Sequence, residues 1–276
     1  MLLVESPQSV ANRLEAVCWD DRRDDWVTPL RGLPVVKVVN ADQRPLTNSV
    51  LEAHRLNSPY IANSAWFETL KREIGFDEKA PRPIEMQGKV YPTLLKYDPN
   101  SLIHGIFLEK IAGVIRTPRA LSGFIEAKGV TPVSSGGVKN DRVDATGKAQ
   151  GGAAEGYGNV PFARDEHAAT EITAYFNLDL AQIRGFALGA AAGKMLVALA
   201  LFKIRMFLAT GLRLRTACDF EVLDSSELGT RPNAFMMPDI EDLNAALPGL
   251  VQALANEGLL ADPPTTVVTW KPKGKG

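Results

Sequence analysis

The sequence predicts an α+β protein, and three of its features support this prediction. Two segments, 170–180 and 212–222, alternate apolar and polar residues strictly, as a strand with one buried face does. Between them, residues 182–209 are apolar on nearly all sides, which is typical of a long buried helix. Strands and helices in this order indicate an antiparallel sheet that carries its helices on one face.

The N-terminal half supplies the remaining predicted elements. Residues 33–39 are rich in β-branched side chains and predict a strand. Residues 50–74 have helical spacing, and a polar, Pro-rich connection follows at 76–93. Residues 102–109 and 119–127 predict two more strands. Without insertions, the predicted order is β-α-β-β-α-β, which is the order of ferredoxin-like and RRM-like sheets, and an RRM-like sheet binds RNA on its open face.

Glycine and proline predict how the helices end and pack. Gly185, Gly189 and Gly193 recur at four-residue spacing, which favours close packing of the long helix against a neighbour. Gly211 lies where a helix C-cap is expected. Residues 239–257 predict a terminal pair of helices, since Pro248 suits a first helical turn.

Composition excludes several classes of protein. The chain has 276 residues with a formal net charge of −1, so it is not a uniformly basic nucleic-acid binder. Its two cysteines form neither a disulfide framework nor a zinc cluster. The N-terminus lacks the pattern of a secretory signal, and no apolar run reaches the roughly 20 residues of a membrane helix. We therefore expect a cytoplasmic protein with no membrane partner.

Charge is nevertheless segregated along the chain. Residues 181–218 carry six basic and no acidic side chains, a net charge of +6. Residues 219–262 carry nine acidic side chains and one basic, a net charge of −8. The cationic part is suited to a polyanion, and the anionic part to a cationic neighbour.

A glycine-rich insertion interrupts the pattern at 131–161. Seven glycines fall within the 25 residues from Ser134 to Gly158, with almost no large apolar side chain. Long segments of this kind inside a domain are usually functional or disordered. We expect a single domain over 1–276, with this insertion and an acidic C-terminal extension at 223–276.

Motifs for common enzyme chemistry are absent from the sequence. There is no phosphate-binding G-x-x-x-x-G-K-[ST], no G-x-S-x-G and no H-E-x-x-H. The three histidines are scattered, and Asp141 and Asp144 lie in the glycine-rich region, where turn roles are commoner than catalysis. We therefore expect no catalytic residue, no metal ligand and no cofactor.

Seven segments together resemble a known family. They are LEAHRLNSPYI (51–61), YDPNSLIHGIFL (97–108), RTPRALSGFIEAKGV (116–130), SSGGVKND (134–141), GGAAEGYGNVPF (151–162), LDLAQIRGF (178–186) and GLRLRTACDFE (211–221). The family is the CRISPR-associated backbone subunit of type I-U, or type I-G, Cascade-like complexes, within the RAMP superfamily.

This resemblance implies a modified RRM-like fold and a role in antiviral defence. Backbone subunits polymerise head to tail along one crRNA, beside other CRISPR subunits, and the complex captures a complementary target DNA strand. A thumb from one copy reaches over its neighbour, and the insertion at 131–161 is the candidate for it. The resemblance thus implies a non-catalytic, crRNA-binding, homo-oligomeric subunit.

A guide of arbitrary sequence has to be held through its phosphates, which requires basic side chains and glycine-rich backbone amides. The candidates for RNA binding are Arg116, Arg119, Ser134, Ser135, Gly136, Gly137, Lys139, Arg164, Arg205, Arg213 and Arg215.

Two alternative functions remain open at this point. One is an RNA-cleaving backbone subunit, a metal-dependent endoribonuclease of similar fold. The other is an assembly subunit that never touches nucleic acid.

Overall fold

The computed structural model describes residues 1–77, 79, 83–111, 113–148, 152–155, 157–215, 218–223, 229–233 and 235–271. These residues form a mixed α+β structure of eight α-helices and several small sheets. The helices are α1 Pro7–Ala16, α2 Pro59–Ala62, α3 Phe67–Ile74, α4 Tyr91–Tyr97, α5 Pro99–His104, α6 Leu180–Gly185, α7 Gly189–Ala209 and α8 Ile240–Asn256. None of the helices in these ranges combines the length and apolarity needed to cross a lipid bilayer.

The strands are short, apart from four of eight or nine residues. They are β1 Leu2–Glu5, β2 Trp19–Asp20, β3 Asp25–Trp26, β4 Val35–Val39, β5 Pro45–Asn48, β6 Ile106–Leu108, β7 Ile115–Thr117, β8 Leu121–Lys128, β9 Thr131–Lys139, β10 Val160–Ala168, β11 Glu171–Leu178, β12 Leu212–Arg215, β13 Cys218–Phe220 and β14 Thr265–Thr269. The two three-stranded sheets have the orders β1-β8-β11 and β14-β4-β5, and the other pairs are β2-β3, β6-β7, β9-β10 and β12-β13.

The chain divides into two compact units. The smaller unit contains residues 1–5 and 125–174, and the larger unit contains 6–124 and 175–276. In the smaller unit, β1 pairs antiparallel with β8, with Leu2 opposite Ala127. Its other main element is the antiparallel ribbon of β9 and β10.

The core of the larger unit is built around α7. Met195, Leu196, Leu199 and Ala200 of this helix have no exposed surface. Helices α1, α5 and α8 pack against α7. The sheet β14-β4-β5 contributes Val36 and Val38, which are also fully buried. Burial of such apolar side chains is the main stabilising contribution to this unit.

Several predicted elements are confirmed. The strands predicted at 33–39 and 119–127 are β4 and β8, and the alternating segment at 170–180 is β11. Gly211 follows the end of α7 with φ +78°, the left-handed conformation that suits glycine at this position. The segment 50–74 is helical in separate pieces, with α2 beginning at Pro59.

The prediction of one helix over 182–209 is wrong. The chain leaves the helical conformation between α6 and α7, where Ala187 has φ +56° and Gly189 has φ +85°. Close helix packing does not explain the glycine spacing either. Among the described residues, a Cβ at Gly185, Gly189 or Gly193 would have no atom of another part of the chain within 4 Å. The left-handed backbone conformation of Ala187 follows the end of α6, and that of Gly189 lies at the start of α7.

The prediction of a helix pair over 239–257 is also wrong. A single helix, α8, runs through this segment with Pro248 in its interior. Leu243, Leu247, Val251 and Leu254 form a continuous buried stripe along it. The burial of this stripe outweighs the roughly 3 kcal/mol that an interior proline costs a helix.

Three strand predictions also need correction. The alternating segment at 212–222 is the hairpin of β12 and β13, in which Leu212 lies opposite Phe220. Residues 102–109 begin as the end of α5, which stops at Gly105 with φ +77° before β6. Strand β11 does not fully bury its even face, since Ile172 on that face is 39% exposed.

In the connection predicted at 76–93, a π-helical turn at Met86–Val90 leads into α4.

Candidate nucleic-acid interface

The beginning of the expected glycine-rich insertion, residues 131–139, is strand β9, which forms a regular β-ribbon with β10. Strands β9 and β10 make nine consecutive residue pairs, from Lys139 opposite Val160 to Thr131 opposite Ala168. Most side chains on both strands are exposed. Nine paired residues span roughly 30 Å at about 3.3 Å per residue. Strands β9 and β10 therefore form a ribbon with two solvent-facing sides.

The register of the ribbon sorts the predicted contact residues into two faces, because directly opposed residues share a face. One face carries Ser135 opposite Arg164, Gly137 opposite Phe162, and Lys139 opposite Val160. The same face also carries Glu166, opposite Val133. We call Ser135, Gly137, Lys139, Phe162, Arg164 and Glu166 the basic face.

The opposite face carries a different chemistry. Ser134 is opposite Asp165, Gly136 is opposite Ala163, and His167 lies on the same side. Of the ribbon candidates, Ser135, Gly137, Lys139 and Arg164 are thus brought together, whereas Ser134 and Gly136 lie on the other face. The two basic side chains and the aromatic ring of Phe162 share one surface.

The two central glycines have a packing explanation. A Cβ at Gly136 would lie 2.6 Å from the backbone oxygen of Phe162. A Cβ at Gly137 would lie 3.1 Å from the ring of Phe162. The missing side chains let Phe162 lie against the backbone of β9, where its ring joins the basic face.

The loop that connects the two strands is organised by Asp141. Its Oδ1 accepts hydrogen bonds from the backbone N–H groups of Val143 (2.8 Å) and Asp144 (3.2 Å). Its Oδ2 accepts one from Gly158 N–H at 3.3 Å. Hydrogen bonds from Val143 and Asp144 lower the pKa of Asp141.

Asp144 also has a turn role, since its Oδ1 accepts from both N–H and Oγ of Thr146. Both aspartates therefore shape the turn, as the sequence predicts. Among the described residues, no three His, Cys, Asp or Glu side chains are grouped so that they could hold a metal ion.

Arg116 and Arg119 lie in the larger unit. The Arg116 guanidinium lies 4.2 Å from the ring centroid of Phe107, its opposed residue on β6. Both side chains are exposed, so this cation–π pair presents a flat, charged surface. Arg119 donates a hydrogen bond to Gln8 Oε1.

The remaining candidates differ in their environment. Arg205 on α7 donates to the carbonyl oxygens of Met237 (2.7 Å) and Pro238 (2.9 Å), and its side chain is only 13% exposed. Arg213 is exposed on β12, opposite Asp219. The side chain of Arg215 lies outside the described residues.

A buried polar cluster in the larger unit has no counterpart among the sequence-based predictions. Glu15 and Arg55 form a bidentate pair, with Nε–Oε1 and Nη2–Oε2 distances of 2.9 and 2.7 Å. Lys203, with no exposed surface, donates to Asn100 Oδ1 at 2.7 Å. The +6 charge of 181–218 therefore overstates the cationic surface of that segment, since Lys203 is interior.

The same cluster contains two groups with strongly shifted ionisation. Burial raises the pKa of Asp98 to about 6, although Ser101 Oγ donates to its carboxylate. Burial, assisted by the charge of Lys203, lowers the pKa of His104 well below its ordinary value. The cluster joins α1, α5 and α7, and the complete burial of Asp98, His104 and Lys203 is typical of a fold determinant rather than of a ligand site. A periodic sequence pattern carries no signal for such a cluster.

An apolar groove lies between α7 and α8. Its volume is about 980 Å³, and small residues such as Gly189, Gly193 and Ala246 line it. Arg184, Lys194 and Asp242 also line it. The open space beside the α7 glycines is part of this groove.

Comparison with known families finds one match, in the N-terminal part of the chain. Residues 1–132 match the model of a family described as CRISPR-associated protein GSU0053. A comparison with curated proteins finds no match. The matched segment is 132 of the chain's 276 residues, a little under half, and it is this segment that is similar to a CRISPR-associated family.

Proposed function

We propose that the chain is a non-catalytic, crRNA-binding backbone subunit of a type I CRISPR surveillance complex. The observation that carries the proposal is the basic face of the β9–β10 ribbon. It presents Lys139, Arg164 and Ser135 beside an aromatic ring on an exposed surface. The family match over 1–132 supports the CRISPR context. In this proposal the α+β structure is a modified RRM-like fold of the RAMP superfamily.

The chemistry of the basic face suits a guide of any sequence. Lysine and arginine neutralise phosphates without reading base identity, and a hydroxyl such as that of Ser135 adds a donor. The ring of Phe162 offers a stacking surface that tolerates every base. A ribbon of roughly 30 Å is long enough to lie along several nucleotides of a single strand.

Assembly along RNA requires two different surfaces on each copy, joined head to tail. The C-terminal half offers exposed side chains of both signs for such contacts. Arg184, Lys194 and Asp242 line one groove, and Glu241 precedes Asp242 on α8. Copies of the chain, other CRISPR subunits and the target DNA strand are the partners in this proposal.

The ribbon can be tested by the double variant Lys139→Ala/Arg164→Ala. Loss of two phosphate contacts should lower the slope of log affinity against log salt by about 1.4, at roughly 0.7 per contact for a single strand. The loss should be similar for guides of different sequence. Fluorescence anisotropy with labelled single-stranded RNA measures both quantities.

The matched control is Arg72→Ala/Lys89→Ala, which removes the same charge from exposed positions in the larger unit. It should leave the salt slope almost unchanged. Equal binding by the ribbon variant and the wild type would overturn the assignment.

Copy number and catalysis need separate measurements. Light scattering with guides of increasing length should give oligomers whose mass rises stepwise with RNA length. Incubation with labelled complementary RNA and magnesium should leave the RNA intact. A protein that stays monomeric on its guide with partner subunits present, or that cleaves the RNA, would contradict the backbone role.

A further inference from the structure

A partly exposed aromatic pair lies in the larger unit, which does not contain the ribbon. Tyr60 and Trp270 have ring centroids 5.4 Å apart and planes tilted by 60°. Tyr60 is 39% exposed. Together with Pro59, Asn63 and Lys271, the pair lines a cleft of about 410 Å³. This volume lies within the range of small-ligand sites.

Both rings are held by a fixed backbone. Trp270 directly follows β14, and its N–H donates to the carbonyl oxygen of Val39 at 2.8 Å. Tyr60 lies in the first turn of α2, where its N–H donates to Ser58 Oγ at 3.3 Å. The rings are therefore positioned in advance, which lowers the entropy cost of binding a flat ligand between or upon them.

Polar groups at the cleft favour an anionic ligand. Lys110 Nζ donates to Asn63 Oδ1 at 2.8 Å, which leaves the NH₂ group of Asn63 as a donor for a base carbonyl. Lys110 and Lys271 are exposed cations. The sequence continues as Lys271-Pro-Lys-Gly-Lys-Gly, with three lysines in its last six residues.

We propose that Tyr60 and Trp270 form a stacking site for one nucleobase of a single-stranded nucleic acid, whose flanking phosphate binds Lys110 and Lys271. Aromatic rings beside basic side chains are the general means of binding single strands without sequence preference. A proline-rich peptide also binds aromatic clefts, but it lacks the negative charge that these lysines attract. The site is separate from the basic face and does not depend on it.

The probes are the tetranucleotides U4 and dT4, titrated against the full chain by isothermal titration calorimetry, a readout that does not depend on Trp270. Trp270→Ala and Tyr60→Ala should each weaken binding about 5- to 150-fold, as the loss of one stacked base does. Trp270→Phe keeps a stacking ring and should retain most of the affinity. Lys110→Ala should lower the salt slope by about 0.7.

Two controls match these changes. Phe235→Ala removes an aromatic side chain that is 43% exposed elsewhere in the same unit, and Arg22→Ala removes an exposed charge; neither should alter binding. If Trp270→Ala unfolds, Tyr60→Ala and Lys110→Ala still test the site.

The basic face would also bind single strands, so the same substitutions are repeated in the ribbon variant Lys139→Ala/Arg164→Ala. The losses expected for Tyr60→Ala and Trp270→Ala should persist in that variant, so this proposal and the proposed function can fail separately. Binding of either probe with the expected losses supports the site, and any preference for U4 reports on the ribose hydroxyl. Unchanged affinity in both Trp270→Ala and Tyr60→Ala would overturn it. Binding of a proline-rich peptide but of neither tetranucleotide would also overturn it.

Discussion

Arg164 and Glu166 form an ion pair on the basic face of the ribbon, with Nη2 and Oε1 3.0 Å apart. The two residues are separated by one position on β10, so they share a face. The arginine that we expect to bind a phosphate is thus partly neutralised by its own neighbour. A phosphate has to compete with Glu166 for this guanidinium.

The first prediction concerns this competition. Glu166→Gln should strengthen binding to single-stranded RNA several-fold and make its salt dependence steeper, because Arg164 is released and a repulsive charge is removed. Asp165→Asn changes the charge by the same amount on the opposite face and should have a smaller effect. Anisotropy titrations at several salt concentrations compare the two; equal effects would argue against face-specific binding.

The second prediction separates two arginines of the C-terminal half. Arg205→Ala should lower the free energy of unfolding by about 2 kcal/mol, because two carbonyl oxygens lose a charged donor. Arg213→Ala, at an exposed position, should change it by no more than about 0.5 kcal/mol. Urea denaturation measures both, and an unaltered midpoint in Arg205→Ala would contradict the structural role of this side chain.

The third prediction concerns pH and the buried Asp98. Its pKa of about 6 in the folded state lies above the ordinary value of 3.8, so the folded protein binds the proton more tightly than the unfolded chain does. Stability from this group is therefore present at low pH and is lost as pH rises from about 4 to about 6. At neutral pH the loss amounts to about 3 kcal/mol, since one pKa unit corresponds to about 1.4 kcal/mol.

Asp98→Asn should abolish this contribution. An amide oxygen can still accept from Ser101 Oγ, so the local hydrogen bond is kept. Relative to wild type, the variant should become more stable as pH rises from 4 to 7, and its unfolding curves at each pH measure the difference. Parallel stability profiles for the two proteins would show that Asp98 ionises normally. Other carboxylates also contribute to the pH dependence of stability. Hydrogen bonds from Arg23 and Lys128 lower the pKa values of Asp20 and Glu171, respectively. These contributions are the same in the variant and the wild type, so they cancel in the difference between the two stability profiles.

The fourth prediction uses the glycines of α7. Gly193 lies inside the helix, and within the described ranges a Cβ at this position would have no atom of another part of the chain within 4 Å. Gly193→Ala should therefore stabilise the protein by about 1 kcal/mol. Gly189 has equal space but φ +85°, so Gly189→Ala should destabilise it by about 1–2 kcal/mol. Thermal or urea unfolding of the two variants gives the signs; a stabilising Gly189→Ala would contradict the left-handed conformation.

Local patterns in the sequence predict local structure well and distant contacts poorly. The β-branched run at 33–39 and the alternation in 170–180 correctly indicate strands, because periodicity reports which faces of an element can be buried. The same reasoning fails at Ala187, where a left-handed backbone conformation that alanine rarely adopts divides the helix.

In the candidate site, too, the sequence predicts local features but not contacts between distant residues. The sequence places Lys139 and Arg164 in or beside one glycine-rich segment, but only the strand register puts them on one face and Ser134 on the other. Lys203 looks like any charged residue on a helix, yet it is fully buried and bonded to Asn100, 103 positions away in the chain. Such a partner is invisible to periodicity because it belongs to a different element.

The parallel pairing of β4 with β14 has a consequence for synthesis on the ribosome. Val35 is opposite Thr265, 230 residues later in the chain. Strand β4 therefore leaves the ribosome long before its partner exists, and its valines stay on an open sheet edge until nearly the whole chain has been made. Because such a distant contact must close a very long loop, we expect this sheet to complete late and slowly. A fragment ending at residue 132 would contain the stretch that matches the family and still lack the strand that covers this edge.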